Sequence, residues 1–308
     1  MNDFRIHTLG CGSAKPTLRH LPSCTIIEHG KRLMMVDCGE GAQLSMTKHG
    51  LRPSRLTDIF ITHLHGDHVL GLPGLISTLG LGEHKGVLTI HTFEEGKRIL
   101  ETMFSFFAPE LSFTLRFNVI KPEDGVVVDE PTLRVRSVAL CHRVPAVGYI
   151  FEEKEGERHL LPEAAREAGV PVEWFKRLKQ GEDYNDGTSI IPNNLLTTPP
   201  TPPRSYAHIS DTSYLPDLGE RIGKVDLLFH ETTYLEKDKE KAQLYGHSTA
   251  RQAALVAKAA GAGRLLTGHY SASITDDYLI AEEASEVFPS TLVNFEGRVT
   301  TVREAPAE

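Results

Sequence analysis

The pattern of hydrophobic and polar positions predicts short β-strands interspersed with helices. Apolar, β-branched runs bounded by Gly and Asp turns predict strands in the first half at Phe4–Leu9, Cys24–His29, Arg32–Val36, Asp58–Ile61, Val87–His91, Leu133–Leu140 and Ala146–Phe151. The second half gives further strands at Ser205–Ile209, Val225–His230, Arg264–Thr267 and Thr291–Asn294. Strands and helices do not alternate strictly, so their order favours an α+β sandwich of sheets flanked by helices over a doubly wound parallel sheet.

Helical periodicity predicts longer helices at Gly71–Leu81, Glu94–Phe107, Ser248–Ala260 and Asp276–Val287. The third of these has the clearest boundaries. Ser248-Thr249 precedes its alanine-rich run, and Ser and Thr are preferred capping residues at a helix start. Gly261 and Gly263 follow the run, which is where glycine commonly ends a helix.

One segment interrupts this organisation. Residues 152–204 are first charged and then proline-rich, ending in Thr-Thr-Pro-Pro-Thr-Pro-Pro. Residues 163–168 and 172–178 each predict a short helix, whereas the remainder has little periodicity. An insert of this length in a compact domain is usually functional or disordered. We therefore expect a single domain over residues 1–308, in which residues 152–204 form either a functional arm or a solvated loop.

The composition is that of a soluble globular protein, with 308 residues of which 40% are hydrophobic and 24% charged. No window approaches 18 uninterrupted apolar residues and the start lacks the apolar segment of a secretory signal, so we expect neither a membrane span nor export. The four cysteines are far apart, which favours a cytoplasmic protein without a disulfide framework. The net charge of −8 argues mildly against a nucleic-acid partner, although local cations or metal ions can reverse the field at a site.

The segment Thr62–His68, with the sequence Thr-His-Leu-His-Gly-Asp-His, gives the strongest indication of function. Its imidazoles and carboxylate are too crowded for all of them to be satisfied core residues, and they are the ligand types of Zn²⁺ and related metals. His63 and His65 would point the same way from a strand end. The following turn can direct Asp67 and His68 toward a second position. This arrangement suits two metal ions about 3.5–4 Å apart.

This motif and three downstream segments together resemble the metallo-β-lactamase superfamily. The downstream segments each follow a predicted apolar strand and are Cys141-His142-Arg143, Ser210-Asp211-Thr212 and Gly268-His269-Tyr270. The resemblance implies an αββα sandwich that binds two zinc ions per chain. It implies that His63, His65 and His142 bind one ion, that Asp67, His68 and His269 bind the other, and that Asp211 bridges both.

Within the superfamily, almost the whole chain resembles the ribonuclease Z family, zinc phosphodiesterases that trim the 3′ trailer from tRNA precursors. Two segments carry this closer resemblance, Phe229-His230-Glu231-Thr232-Thr233 and Tyr245-Gly246-His247-Ser248-Thr249. The resemblance implies that Glu231 and His247 form a proton-delivery pair, because a carboxylate raises the basicity of an imidazole and fixes its tautomer. It also implies that Asp67 accepts the proton of the attacking water.

The inserted segment loosely resembles the tRNA-binding arm of that family. Aromatic and basic residues follow one another there, and the resemblance implies that Lys176, Arg177 and Lys179 contact the RNA backbone. An ordinary amphipathic helix remains the alternative for this stretch.

Two further segments depart from the family pattern. Lys15, Arg19 and His20 supply charges near the family's N-terminal substrate loop, but in a shifted frame. Ser271 lies where relatives commonly have an arginine that holds a phosphate, and its hydroxyl could bind the phosphate instead, although less strongly than a charged group.

The resemblance therefore implies a cytoplasmic, commonly homodimeric endoribonuclease that leaves a 3′-hydroxyl on tRNA and a 5′-phosphate on the trailer. One alternative is a hydrolase of the same fold acting on small phosphodiesters, aryl sulfates or lactones, which would need no RNA-binding arm. A second alternative is a metal-holding binding protein without turnover, which would need no acid–base pair.

Overall fold

Two seven-stranded sheets form the framework of the structure, a computed structural model that describes residues 3–82 and 84–304. The strands are β1 (Phe4–Gly10), β2 (Cys24–His29), β3 (Arg32–Val36), β4 (Leu56–Phe60), β5 (Val87–Thr92), β6 (Thr114–Val119), β7 (Gly125–Asp129), β8 (Leu133–Ala139), β9 (Val147–Glu153), β10 (His159–Leu160), β11 (Tyr184–Asn185), β12 (Ile190–Ile191), β13 (Thr197–Thr198), β14 (Ser205–Ile209), β15 (Leu227–His230), β16 (Arg264–Leu266), β17 (Thr291–Leu292) and β18 (Val299–Thr301). The helices are α1 (Ala42–Lys48), α2 (Gly66–Val69), α3 (Leu72–Leu81), α4 (Glu94–Phe107), α5 (Pro162–Glu167), α6 (Phe175–Lys179), α7 (Asn193–Leu196), α8 (Leu218–Ile222), α9 (Lys239–Tyr245), α10 (Ala250–Ala260) and α11 (Tyr278–Ser285). Short 3₁₀ turns occur at Pro53–Arg55, Val172–Trp174 and Glu236–Asp238.

The strand order brings several loops to one edge of the sheets. The first sheet has the order β18-β1-β2-β3-β4-β5-β6, and β3 to β6 run parallel. The second has the order β17-β16-β15-β14-β9-β8-β7, and β14 to β17 run parallel. Because ligand sites in such sheets form outside the carboxyl ends of parallel strands, the loops after β4, β14, β15 and β16 are placed to build one.

The sheets face each other through aromatic side chains. The Phe60 ring of β4 packs against the rings of Tyr149 and Phe151 of β9, at centroid distances of 5.1 and 5.2 Å. The outer face of the first sheet packs against α1, α3 and α4, with Leu75 and Phe104 in that core. The outer face of the second sheet packs against α8, α10 and α11. The predicted αββα sandwich is confirmed.

Helix boundaries follow local chemistry where the sequence carries a cap. Thr249 is the N-cap of α10, and it forms a capping box with Gln252. Gly261 ends this helix in the left-handed conformation. Helix α1 was not predicted, because it starts after the left-handed Gly41 without any side-chain cap. Strands β6 and β7 were also missed, since they lie at sheet ends and bury too few side chains to show an apolar run.

The described chain divides into two compact units, and residues 129–134 and 152–203 form the smaller one. This unit, called the arm below, has its own core of Ala165, Val170, Leu178, Tyr184 and Leu196. The buried Asn193 amide donates to the carbonyl oxygens of Leu178 and Glu182, both at 2.8 Å. The segment predicted as an arm or a solvated loop is therefore a folded unit.

Among the residues described, no helix has the length and hydropathy needed to cross a bilayer.

Candidate metal centre

The predicted ligands come together from loops that follow four strands and from helix α2. His63 lies in the loop after β4 and is fully buried, and α2 carries Asp67 and His68. The other ligand candidates follow β8, β14 and β16, and are His142, Asp211 and His269. We divide the donor atoms of the seven predicted ligands into a first and a second cluster, which share Asp211.

The first cluster consists of His63, His65, His142 and one oxygen of Asp211. His65 Nδ1 lies 3.0 Å from His63 Nε2 and 3.2 Å from His142 Nε2. Asp211 Oδ2 lies 3.6 Å from His63 Nε2 and 3.8 Å from His142 Nε2. With Zn–N bonds of 2.0–2.1 Å, neighbouring nitrogens around a tetrahedral zinc ion are about 3.3 Å apart. The measured separations are therefore compatible with four ligands of one small cation.

The second cluster consists of Asp67, His68, His269 and the other oxygen of Asp211. Asp67 Oδ2 lies 3.5 Å from His68 Nε2 and 3.6 Å from His269 Nε2. Asp211 Oδ1 lies 3.6 Å from His68 Nε2 and 3.2 Å from His269 Nε2. Because each carboxylate oxygen of Asp211 faces a different cluster, this residue has the orientation of a bridging ligand.

The chemistry of these atoms fits bound metal. Within residues 3–82 and 84–304, the Nε2 atoms of His68 and His269 are buried and have no hydrogen-bond partner. Buried polar atoms without a partner destabilise a fold, so most of them have one. A cation between these nitrogens and the carboxylates of Asp67 and Asp211 would supply it, and imidazole with carboxylate is a donor set that zinc accepts.

Charge states in the first cluster favour cation binding. Burial and the neighbouring His68 hold the pKa of His63 well below its ordinary value, and burial lowers the pKa of His142, so both imidazoles are neutral near pH 7. Burial raises the pKa of Asp211, but the surrounding histidines, above all His269, outweigh it and hold that pKa far below its usual range. Neutral imidazoles beside an ionised carboxylate are the protonation states that metal binding requires.

Asp37 is an orienting residue that the sequence analysis missed. Its fully buried carboxylate accepts hydrogen bonds from His68 Nδ1 at 2.7 Å and from the hydroxyl and N–H of Thr62, both at 2.8 Å. Thr62 Oγ1 in turn lies 3.1 Å from His63 Nδ1. Protons on these Nδ1 atoms leave the Nε2 atoms free to bind a cation. Asp37 directly follows β3, so it occupies the same kind of strand-end position as several of the predicted ligands.

Glu231 has the corresponding place on the second sheet. Its fully buried carboxylate accepts the N–H of Thr212 at 3.1 Å and the N–H of Ser248 at 3.0 Å. It also accepts the Thr233 hydroxyl at 2.6 Å, and that hydroxyl lies 3.0 Å from His269 Nδ1. Asp37 and Glu231 thus each orient one ligand histidine through a threonine hydroxyl.

His247 hydrogen-bonds the carboxylate of Glu231. His247 Nδ1 lies 3.1 Å from Glu231 Oε1 and 3.9 Å from Asp211 Oδ2. Burial lowers the pKa of His247, but the Glu231 carboxylate more than offsets this and raises it to about 9. An imidazole that holds its proton at pH 7 beside the clusters can act as a general acid.

Gly246, the residue before His247, orients one ligand of the first cluster. Its carbonyl oxygen accepts a 2.7 Å hydrogen bond from His142 Nδ1, which fixes the orientation of that ring. Its φ of 75° is left-handed, and a Cβ there would lie 2.9 Å from the same nitrogen. Glycine is therefore required next to His247.

Two of the three charged side chains of the N-terminal loop have partners within the fold. Arg19 donates to Asp277 at 2.6 Å and to the Ile274 carbonyl at 2.8 Å, and His20 contacts Asp277 at 3.0 Å. These side chains are therefore engaged within the protein, whereas Lys15 forms no ion pair with any residue described. Ser271, the predicted phosphate contact, hydrogen-bonds the hydroxyl of Ser273 at 2.9 Å.

Comparisons with known proteins agree with this architecture. Residues 198–270 match the family model described as the beta-lactamase superfamily domain, and residues 4–95 match the model of the anti-Pycsar protein Apyc1. The chain is 44% identical over 299 residues to ribonuclease Z of Parabacteroides distasonis, covering 96% of this chain and 98% of the relative. It is 45% identical over 295 residues to ribonuclease Z of Porphyromonas gingivalis strain W83, covering 95% and 97%. Human tRNase Z, short form, superposes with a TM-score of 0.71 at 23% identity, covering 97% of this chain and all of that one.

Together with the fold, the matched superfamily model and the curated relatives define a metal-dependent hydrolase of the metallo-β-lactamase superfamily. The full-length identity to curated relatives is more specific. The chain belongs to the ribonuclease Z family.

Proposed function

We propose that the protein is a zinc-dependent endoribonuclease that removes the 3′ trailer of tRNA precursors. The observation that carries the proposal is the pair of clusters joined by Asp211, with the Glu231–His247 pair beside them. A binding protein would need the clusters alone. Hydrolysis of a phosphodiester also needs a proton for the departing oxygen, which His247 can supply.

The chain would hold two zinc ions, one in each cluster. When bound there, the ions would neutralise charge on the scissile phosphate and lower the pKa of the attacking water. The outer partners Asp37 and Glu231 keep the ligand rings oriented for them.

Two side chains carry the protons of the reaction. Burial raises the pKa of Asp67, but the contacts with His269 and His68 hold it well below its usual range, so the carboxylate is ionised. A carboxylate with so low a pKa is a weak base, and it would take the proton from a water whose own pKa the bound ions would lower. Attack forms a water-oxygen-to-phosphorus bond and breaks the bond from phosphorus to the 3′-oxygen of the tRNA. His247 donates its proton to that leaving oxygen, which yields a tRNA 3′-hydroxyl and a trailer 5′-phosphate.

Mapping the cut in an end-labelled tRNA precursor tests this proposal. The expected result with the zinc-loaded protein is one cut just after the discriminator base, and no cut with Asp67→Ala. A protein that hydrolyses a chromogenic phosphodiester but leaves the precursor intact would refute the tRNA substrate and support the small-diester alternative.

The arm supports an RNA substrate, and its cations differ in availability. The Arg177 guanidinium lies 3.9 Å from the centre of the Trp174 ring and 2.6 Å from Glu182 Oε2, so its charge is already compensated. Lys176 and Lys179 are exposed, and neither forms an ion pair in the part of the chain that the structure describes. These two lysines are the better candidates for contacts with the RNA backbone.

The variant Lys176→Ala/Lys179→Ala is expected to weaken precursor binding. The slope of log K against log[salt], where K is the association constant for the precursor, should become shallower by about one to two, since each phosphate contact contributes about 0.7–0.9 to that slope. Turnover of a small phosphodiester should stay unchanged. Filter binding over a range of salt concentrations measures this, with Lys258→Ala on α10 as the matched control. An unaltered salt slope, or equal losses on both substrates, would contradict RNA binding by these lysines.

We also propose a cytoplasmic homodimer. The resemblance to the ribonuclease Z family supports the dimer, and the four cysteines, all free, suit a reducing compartment. Light scattering on the eluting zinc-loaded protein tests the oligomeric state, and a monomer at micromolar concentration would contradict it.

A further inference from the structure

The loop between β1 and β2, residues 11–21, is hydrogen-bonded to the backbone next to a predicted ligand. The Cys11 carbonyl accepts the N–H of Tyr270 at 2.8 Å, and the Ser13 N–H donates to the Tyr270 carbonyl at 3.0 Å. Tyr270 directly follows His269 of the second cluster. The loop is thus fixed against this cluster by main-chain hydrogen bonds, independently of its side chains.

The tip of this loop contacts another residue of the second cluster. The Ala14 N–H donates a 2.7 Å hydrogen bond to Asp67 Oδ2. The same oxygen is the one that lies 3.5 Å from His68 Nε2 and 3.6 Å from His269 Nε2. A carboxylate oxygen has two lone pairs, so it can accept this N–H and still face a cation.

Ala14 has an unusual backbone conformation for a residue with a side chain. Among the residues described, the non-glycine residues with positive φ are Ala14 at 66°, Asp37 at 57° and His269 at 59°. Each serves one member of the second cluster, because Ala14 contacts Asp67, Asp37 contacts His68, and His269 is itself a member. Left-handed conformations outside glycine concentrate at functional sites, where the surrounding structure enforces them.

The side chains of His20, Asp277 and Glu296 hold the loop in place, and we call these three residues the carboxylate clamp. His20 Nδ1 lies 3.1 Å from Glu296 Oε2, and His20 Nε2 lies 3.0 Å from Asp277 Oδ2. Glu296 Oε1 also accepts the N–H of Leu21 at 3.0 Å and the N–H of Cys11 at 3.3 Å. One carboxylate therefore binds both ends of the loop, and His20 joins it to a second carboxylate on the segment before α11.

We propose that this loop positions Asp67 through the Ala14 N–H, and that the carboxylate clamp on His20 keeps the loop in its place. The inference rests on the proposed function, because it assigns a role to the loop in building the second cluster. Ala14 and His20 act through Asp67, so both are positioning residues.

Substitutions at position 14 separate backbone geometry from packing, since the Ala14 side chain is exposed. A β-branched residue strongly resists positive φ, whereas glycine adopts it readily, and both keep the N–H. We expect Ala14→Val to weaken zinc binding in the second cluster by about 10–100-fold, the usual effect of losing a group that hydrogen-bonds a metal ligand. The conservative variant Ala14→Gly should restore the affinity to within about threefold. Competition with a chelator measures zinc binding in both clusters without reference to activity.

Substitutions in the clamp test the second half of the proposal. His20→Gln keeps a donor near Asp277 but loses the one to Glu296, and His20→Ala loses both. We expect a graded loss of kcat on precursor tRNA and on a small phosphodiester alike, with little change in KM. His7→Gln is the matched control, because His7 also contacts a carboxylate, that of Glu28 at 3.1 Å, but lies away from the loop.

Amide exchange of Ala14 provides a readout if a clamp variant folds poorly. In the wild type this amide should be protected, and Asp67→Ala should remove the protection while leaving the Ser13 amide protected. Wild-type zinc affinity in Ala14→Val, or an effect of the clamp variants confined to KM for tRNA, would overturn the proposal. Failure of the wild type to cut tRNA would instead refute the proposed substrate, and the zinc-affinity and exchange results would still decide the role of the loop.

Discussion

Replacing Asp211 by alanine is expected to weaken both zinc-binding steps and to reduce turnover by about 10³-fold or more, since bound metal contributes several kcal/mol to the transition state. The two oxygens of Asp211 face different clusters, at 3.2 Å from His269 Nε2 and 3.6 Å from His63 Nε2. Removing the carboxylate takes one ligand from each cluster and also leaves their histidines to repel one another when protonated. Elemental analysis, zinc titration of the metal-free protein and single-turnover cleavage measure these effects.

The geometry also predicts how other variants differ from this one. Asp67→Ala should weaken zinc binding in the second cluster but not in the first, because Asp67 faces the second cluster alone. Asp58→Asn is a matched control, since this carboxylate also accepts from an imidazole, His91 Nε2 at 3.0 Å, but lies outside both clusters. An Asp211→Ala protein that loses a single zinc ion would contradict a bridging role.

The seven ligand candidates could be predicted because the Thr62–His68 motif indicates a metal site and the family resemblance assigns the more distant ligands. A dense group of histidines and aspartates such as Thr62–His68 has no satisfactory place in an apolar core. The partners at His142, Asp211 and His269 lie far away in sequence, yet each follows an apolar strand. The parallel strands β14 and β16 bring the ends before Asp211 and His269 to one edge of their sheet, whereas His142 follows β8, outside the parallel set.

Residues that act through hydrogen bonds were harder to predict. Asp37 follows a strand just as Asp211 does, but the resemblance drawn from the sequence gave it no role, and its contribution depends on a hydrogen bond from His68 that only the fold creates. The charged residues of the N-terminal loop show the same dependence on long-range contacts. Arg19 and His20 look like cations available to a nucleic acid, and only the fold reveals that Asp277 and Glu296, more than 250 residues away, already bind them. Sequence patterns give residue types, whereas charge compensation depends on long-range contacts.

Replacing Glu231 by glutamine is expected to move the alkaline limb of the kcat–pH profile to lower pH by about one to three units, the usual effect of an adjacent charge. His247 must carry a proton to donate it. Burial lowers the pKa of His247 and the Glu231 carboxylate raises it to about 9, so in the wild type the donor stays protonated until the pH rises toward that value. Without the carboxylate, burial dominates and the donor loses its proton at lower pH. Cations bound in the centre would lower the pKa of His247 in both proteins, so the displacement of the limb is the quantity to measure.

His247→Ala should remove this alkaline limb altogether and slow cleavage by about 10²–10⁴-fold, the usual loss for a general acid. Glu283→Gln serves as the control for Glu231→Gln, because Glu283 also accepts a backbone N–H, that of Glu236 at 2.9 Å, but lies outside the centre. Zinc content must be measured in parallel, since Glu231 also orients His269 through Thr233. A fully loaded Glu231→Gln protein with an unmoved limb would mean that a group other than His247 protonates the leaving oxygen. A limb that moves together with zinc loss would assign Glu231 to the support of His269, and a limb that moves at full zinc content assigns it to the proton donor.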